Sequence, residues 1–462
     1  MPPISLRPVL LACAIPFLIS TIARAQTVSV GTSTVHDGNI FDIYLPTADQ
    51  VTQVQLDVST DWVFDQASLT ASYNGAGEFF RDLPARNYHV HLLSFEALYH
   101  FEGAEDDDQS GRDDEPAAPD SGGSSPLGGS HAQPGGAQPT LAGAQSGQVH
   151  SDSADRFMSL ALAGGSQFDK DEATEFGNPA VYNNSALEAS AALRQPLGIH
   201  FGLRPSYTFS YHAYPNVSVI SNLQHIVALQ LGSDLLGGSW IALTPAYAFK
   251  SYTGSSTFVD TVSFRVSSGH GKGFGSGKGG IKVRTFVFAS PSVGQVSLSL
   301  VWKQTVSPGT EVTAEYTRFG EPSGSARVIP EQLRGAAQDR GAIGGFTSQS
   351  EIFDDHFAFS ADASALQLKQ ALPFGLTITA KEQVQVKTYT APAMDLADSL
   401  TLGAHRNDHR YETDLTLSRP ISLGVGKILK PEMEFHYLRN DSNAPYYVFD
   451  KSVLLLGIAF EF

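Results

Sequence analysis

The sequence predicts an all-β fold, a transmembrane antiparallel β-barrel of about 16 to 18 strands (range 14 to 18) with a disordered acidic and Gly/Ser/Pro-rich insert. Three observations lead there. Apolar and polar residues alternate with period two through most of the chain. Beyond residue 25 there is no run of about 18 apolar residues, so any membrane crossing must be made by strands. The 462 residues include 43 Gly and 25 Pro, which disfavour long helices, and overall hydropathy is near neutral, as happens when lipid-facing and lumen-facing residues cancel in the average.

Residues 1–25 have the form of a secretory signal peptide. Arg7 supplies the positive n-region, Val9 to Ile19 a short apolar core, and Ala23-Arg24-Ala25 before Gln26 an A-x-A cleavage site. Leu10-Leu11-Ala12-Cys13 has the letters of a lipoprotein box, but too few residues separate Arg7 from Cys13 for an ordinary apolar core. Cleavage at Ala25 removes the single Cys, so disulfides and thiolate metal sites are excluded from the mature chain, as suits an oxidising periplasm. It also removes Arg7 and Arg24, taking the net charge from −17 to −19. An acidic total speaks against nucleic acid and anionic lipid as partners.

Residues 26–102 read as N-terminal barrel strands and 153–462 as the main part of the barrel. In Ile199 to Ala213 the positions Ile199, Phe201, Leu203, Pro205, Tyr207, Phe209 and Tyr211 are apolar or aromatic, against polar His200, Arg204, Ser206, Thr208, Ser210 and His212. Leu429, Met433, Phe435 and Tyr437 alternate in the same way with Lys430, Glu432, Glu434 and His436. Three segments share a pattern, Leu203-x-Pro205-x-Tyr207, Leu243-x-Pro245-x-Tyr247 and Leu429-x-Pro431-x-Met433. Because Pro removes a ladder bond, each is placed near the start of its strand, at the rim. Gln195 to Gly198 and Leu372 to Gly375 are tight connectors, while 320–352 and 391–405 are long polar connections. Short periplasmic turns alternating with long outer loops explain that asymmetry. Counting back from Phe462 gives 18 spans, the first at 38–45, with 257–267 and 281–290 both in the wall. Sixteen follows if the first pair is discounted or if Gly269 to Gly280 blurs a hairpin.

Residues 103–152 stand apart. Glu102 to Asp120 holds nine acids against Arg112, and Ser121 to Asp155 is mostly Gly, Ser, Pro, Ala and Gln, a composition that cannot bury a core. Strand parity puts this segment on the periplasmic side, and a count different by one strand puts it outside. The acidic cluster lacks the spacing of a Ca²⁺ loop.

Several constellations carry letters of chemistry without its context. Gly275-x-Gly277-x-x-Gly280 precedes a strand rather than a helix, so it offers no helix N-terminus to a pyrophosphate. His89, His91 and His100 lie on one strand, His91 on its apolar face and the other two on the opposite face, so they do not converge as ligands. Asp354, Asp355 and His356, with Asp408 and His409, sit at strand starts on the outer rim, yet no nucleophile elbow accompanies them. The reading is therefore of a chain that is not an enzyme, with no catalytic residues, no metal and no cofactor.

The alternation itself supplies the candidate site. Arg194, Arg204, Lys250, Lys303, Glu315, Lys381, Lys387, Glu412, Asp414, Lys430, Glu432 and Glu434 all fall on polar faces. A barrel of about sixteen strands encloses space that side chains do not fill, so these are pore-lining candidates around a watery lumen. The 320–352 connection brings Arg327, Arg334 and Arg340. Folded inward it forms a constriction that favours anions; folded outward it carries surface charge.

The closing strand carries a resemblance. Leu454, Leu456, Ile458, Phe460 and Phe462 fall on one face and end at the terminal residue, and this terminus resembles the signal read by the barrel assembly machinery of the bacterial outer membrane. With Asp37-Gly38-Asn39-Ile40-Phe41, where Gly38 stands in place of a more usual Ser, the chain resembles bacterial outer-membrane β-barrel proteins of the putative-porin type. That resemblance covers about 38–462 apart from the insert. It implies a Gram-negative outer-membrane location, with membrane lipid, the assembly machinery and small hydrophilic solutes as partners. The function it implies is a porin-like channel for passive transport. A secretion or assembly barrel for exported proteins, and a structural or adhesive barrel acting through its loops, stay open as alternatives.

Overall fold

The computed structural model describes residues 27–38, 48–82, 87–101, 156–169, 184–198, 200–215, 221–235, 238–253, 256–263, 281–288, 292–323, 359–394, 401–424 and 426–462. The signal peptide, the 103–152 insert, the Gly-rich fingerprint and the Asp354, Asp355, His356 group lie outside the described residues.

The strands are β1 (Thr27–Asp37), β2 (Asp49–Val63), β3 (Ala67–Phe80), β4 (Tyr88–His100), β5 (Phe157–Asp169), β6 (Asn184–Pro196), β7 (Phe201–Ala213), β8 (Asn222–Leu235) and β9 (Ser239–Tyr252). They continue with β10 (Ser256–Ser263), β11 (Ile281–Phe288), β12 (Ser292–Ser307), β13 (Thr310–Phe319), β14 (Phe359–Ala371), β15 (Thr377–Met394), β16 (Thr401–Ser418), β17 (Ile421–Gly424), β18 (Lys427–Ser442) and β19 (Phe449–Glu461). Every pairing is antiparallel, and sixteen strands close the wall because β1 pairs with both β2 and β19. Closure satisfies the edge N–H and C=O groups that hydrocarbon cannot. At the seam, Val28 and Phe462 exchange two N–H to C=O bonds of 3.0 Å.

Of the counts of 16 and 18 that the sequence left open, 16 holds, and one hairpin decides it. β10 and β11 pair with each other, and β9 passes directly to β12 in register from Ser251↔Ser292 to Ser239↔Gln304. The first wall strand is also not 38–45, most of which lies outside the described residues, but Thr27–Asp37. Its outward positions include Thr32, Thr34 and His36, so its greasy stripe is faint in sequence. Short β17 continues the line of β16 along β18.

The predicted rim prolines need a second correction. Pro205 and Pro431 each sit fifth in their strands, but Pro245 is seventh in β9, well inside the wall. The ladder shows how this is tolerated. Between β8 and β9 the register steps from Ala228↔Ala246 to Leu231↔Leu243, and between β6 and β7 from Ala192↔Ser206 to Gln195↔Leu203. The bonds omitted are those beside Pro245 and Pro205, where a donor is missing.

Connections sort by length between the two ends of the barrel, with the long β4–β5 connection at the turn end as the exception. One end has the close turns after β2, β6, β8, β12 and β14; the other has the longer links after β1, β5, β9 and β13. The β12–β13 turn is Pro308-Gly309, with φ +92° at Gly309 and Ala371 Cβ 2.9 Å from where a Cβ would stand. The predicted 391–405 loop is shorter than expected, since Pro392↔His405 and Met394↔Thr401 extend the β15–β16 ladder across bulges.

The outward face is apolar at mid-wall. Val54, Leu160, Leu187, Val227, Leu229, Leu298, Leu300, Leu366, Val384 and Leu456 all stand exposed there. Aromatic residues mark both margins: Phe64, Phe201, Phe374 and Phe462 at the turn end, Phe79, Tyr211 and Tyr316 towards the loop end. An apolar band between aromatic girdles around a closed sheet is the lipid-facing construction of an outer-membrane barrel.

Candidate functional site

Side chains directly opposite in the register share a face, so rows of inward residues can be read around the wall. One row runs from β5 to β12: Ser159, Ala192, Ser206, Ala228, Ala246, Ser297. All of these are small, and none is charged. A row through the other side runs Lys381, Asp414, His436, Val453, Asp37, Asp49, from β15 to β2. The interior therefore has a smooth sector and a charged one.

In the charged sector the side chains support one another. Lys387 stands opposite Asp408, and Arg406 binds Asp408 with two nitrogens, one at 2.9 Å from Nε to Oδ1. The Arg406 guanidinium lies 4.0 Å from the Tyr389 ring centre and 3.3 Å from that of Tyr447, while Lys387 Nζ lies 4.7 Å from the Phe359 ring. This cation and aromatic cluster lies near the loop-end mouth. Further round, Lys451 Nζ is 3.0 Å from Asp37 Oδ2 across the seam. Ser33 donates to Gln53 at 2.8 Å and Gln53 to Glu78 at 3.1 Å, extending the polar chain into β3.

The register turns all twelve pore-lining candidates inward. Arg194 and Arg204 lie towards the turn end of the smooth sector, and Lys250 towards its loop end. Lys303 reaches Glu311 at 2.9 Å, with Glu315 further along the same face of β13. Lys381, Lys387, Glu412 and Asp414 lie on β15 and β16, and Lys430, Glu432 and Glu434 on the inner face of β18. Arg327, Arg334 and Arg340 lie outside the described residues. Leu454, Leu456, Ile458, Phe460 and Phe462 share the outward face of β19.

The histidines divide differently. His89 and His91 share the outward face of β4, ring centres 5.3 Å apart, and His91 Nδ1 lies 2.7 Å from the Tyr73 hydroxyl. His100 faces inward opposite Phe157. Asp408, read from sequence as a rim group, is instead buried within the wall, and His409 points the other way, opposite Val386. Sequence reasoning missed Asp37, Glu78, Arg406, Arg410 and Lys451 as inward groups, and left His436 off the pore-lining set although it shares the polar face of Glu434. Parity along β16 and β18 carries the signal for Arg410 and His436, which share the faces of Glu412 and Glu434.

A family model described as "Surface lipoprotein assembly modifier" matches residues 334–462, a stretch that contains β14 to β19. No curated protein matches the chain. Among solved structures, Pseudomonas aeruginosa OpdK with vanillate is similar at 9% identity, covering 94% of this chain and 98% of that one, with a TM-score of 0.40. OccK3 (OpdO) of the same organism is similar at 11% identity, covering 96% and 98%, also at a TM-score of 0.40. OccK8 (OprE) gives 9%, 94%, 97% and 0.40 respectively. Likeness of this degree names no solute for the present chain.

Proposed function

We propose that this chain, a bacterial outer-membrane β-barrel of porin-like architecture, passes small hydrophilic solutes passively through its lumen. The observation that carries the reading is the inward register of both charge signs inside a closed sixteen-strand wall whose outside is apolar. Inward charges solvated by a water column need no desolvation on that side, and they bias which ions enter. In planar bilayers the purified folded protein should give stepwise conductance. Folded, membrane-inserted protein that leaves the bilayer silent would overturn the channel reading.

A second reading is favoured by the family model matched at 334–462. In that reading the barrel assists assembly of lipid-anchored proteins at the cell surface. Removing the gene should then lower the protease-accessible fraction of such proteins while leaving their total amount unchanged. An unaltered surface fraction would set this reading aside.

A further inference from the structure

Glu412 and Asp414 are next-but-one neighbours on the inner face of β16, and His436 on β18 is the register partner of Asp414. Their ligand atoms all lie within 4.8 Å of one another. His436 Nδ1 is 2.5 Å from Asp414 Oδ1 and 4.0 Å from Glu412 Oε1. All three residues are more than nine-tenths buried. Beyond the one close bond between Asp414 and His436, the atoms Glu412 Oε2, Asp414 Oδ2 and His436 Nε2 have no hydrogen-bond partner. Two carboxylates and an imidazole buried together with so few donors are costly as they stand, and a cation would relieve the cost.

Other charged and polar groups face the triad from its own and the neighbouring strands. On β15, Lys381 stands opposite Asp414 and Gln383 opposite Glu412. On β16, Arg410 Nη2 is 3.5 Å from Glu412 Oε2, while Oε1 is the oxygen paired with the imidazole. On β18, Glu434 and Leu438 flank His436 on its own face, and on β19 Val453 lies opposite it. Arg410 therefore orients Glu412 through one oxygen and leaves Oε1 directed at the imidazole. Lys381 is the cation that would share Asp414 with a metal.

We propose that Glu412, Asp414 and His436 form a divalent transition-metal site on the lumen wall, with Zn²⁺ the best-fitting ion. The imidazole Nδ1 and one oxygen from each carboxylate are the ligands, and a water molecule would complete the fourth position. One nitrogen and two carboxylate oxygens suit Zn²⁺, whereas Ca²⁺ and Mg²⁺ require about six or more oxygens. Bonds of about 2.0 to 2.2 Å in a tetrahedral arrangement hold ligand atoms roughly 3.3 Å apart. Asp414 and His436, now 2.5 Å apart, must open, and Glu412 Oε1, now 4.0 Å from the imidazole, must close in, each by less than about 1 Å, while the two carboxylates, within 4.8 Å of each other, must close by up to about 1.5 Å. The site would tie β16 to β18. It stands independently of the channel reading, because the metal is measured directly.

The test uses the full chain, purified in detergent without a metal-binding tag, stripped with chelator and titrated with Co²⁺ as a visible stand-in for Zn²⁺. The expected result is one saturable equivalent with absorption of tetrahedral intensity, displaced by Zn²⁺. Glu412→Gln, which keeps the side chain's shape, and His436→Gln should each weaken binding at least about tenfold. His225→Gln, on the outward face, should leave it unchanged. Heat-modifiable migration reports that each variant is folded. Absence of a saturable component in the parent protein overturns the proposal, and so does Co²⁺ binding undiminished in folded Glu412→Gln; the triad would then be a hydrogen-bonded brace alone.

Discussion

The inner wall formed by β15, β16 and β18 and the inner wall formed by β5 to β9 belong to one continuous sheet, yet they are built on different terms. The first presents Lys387 against Asp408, Arg410 beside Glu412, and Lys381, Asp414 and His436 in a row. The second presents Ala192, Ser206, Ala228 and Ala246 in a row. Their outer faces do not differ in this way: Val384 and Val386 on one side correspond to Leu229 and Leu160 on the other, all exposed and apolar. Lipid imposes the same demand everywhere around the barrel, while the lumen leaves each sector free to specialise. In the charged sector that freedom has been used to pack charges against one another, so there a residue's stability and its electrostatics are inseparable.

The largest expected effect sets the two inner sectors directly against each other. Asp408→Leu removes the carboxylate to which buried Arg406 Nε donates at 2.9 Å, and losing one member of a buried pair costs about 3 to 5 kcal/mol. Ser206→Asp, on the small-residue row, should cost less than about 1 kcal/mol. Thermal loss of the heat-modifiable band measures both, and equal losses would break the contrast. Next, Val384→Arg and Leu229→Arg, on the outer faces of the two sectors, should each cost about 2 to 4 kcal/mol near the bilayer midplane. A clear difference between them would show that the sectors differ on the outside as well. The smallest effect is in ion preference: Glu412→Gln with Asp414→Asn should move the reversal potential in a salt gradient towards anions, and Glu188→Gln in the smooth sector should move it less. Reversal of that order would place the selective charges on the other wall.

How far this arrangement was legible from sequence depends on which solvent each face meets. Segments such as Phe201 to Ala213 could be read residue by residue because lipid enforces the alternation. β1 could not, since Thr32, Thr34 and His36 occupy its outward positions. β10 and β11 alternate like wall strands, and no local pattern distinguishes a hairpin paired with itself from two strands of a barrel. The faces of Glu412 and Asp414 follow from parity, but their height relative to His436 depends on the β16–β18 register across an intervening turn and β17. Arg406 lies beside bulges between Thr388 and Met394, where the parity count across the hairpin is lost.

At the turn end, Phe101 N–H donates to Arg156 C=O at 2.9 Å, directly below the His100↔Phe157 pair. The 54 residues between them thus depart and return at adjacent backbone positions, where elsewhere round the same end Pro308-Gly309 makes the equivalent connection in two residues. Closure entropy grows only with the logarithm of loop length, about 0.6 kcal/mol for each doubling, so the longer connection adds roughly 2 to 3 kcal/mol to the cost of folding. β4 and β5 pair without a break from Tyr88↔Asp169 to His100↔Phe157. A hairpin closed at its base in this way is expected to accept chain gained, lost or exchanged between its strands, and heat-modifiable migration of a chain lacking 103–151 would measure it.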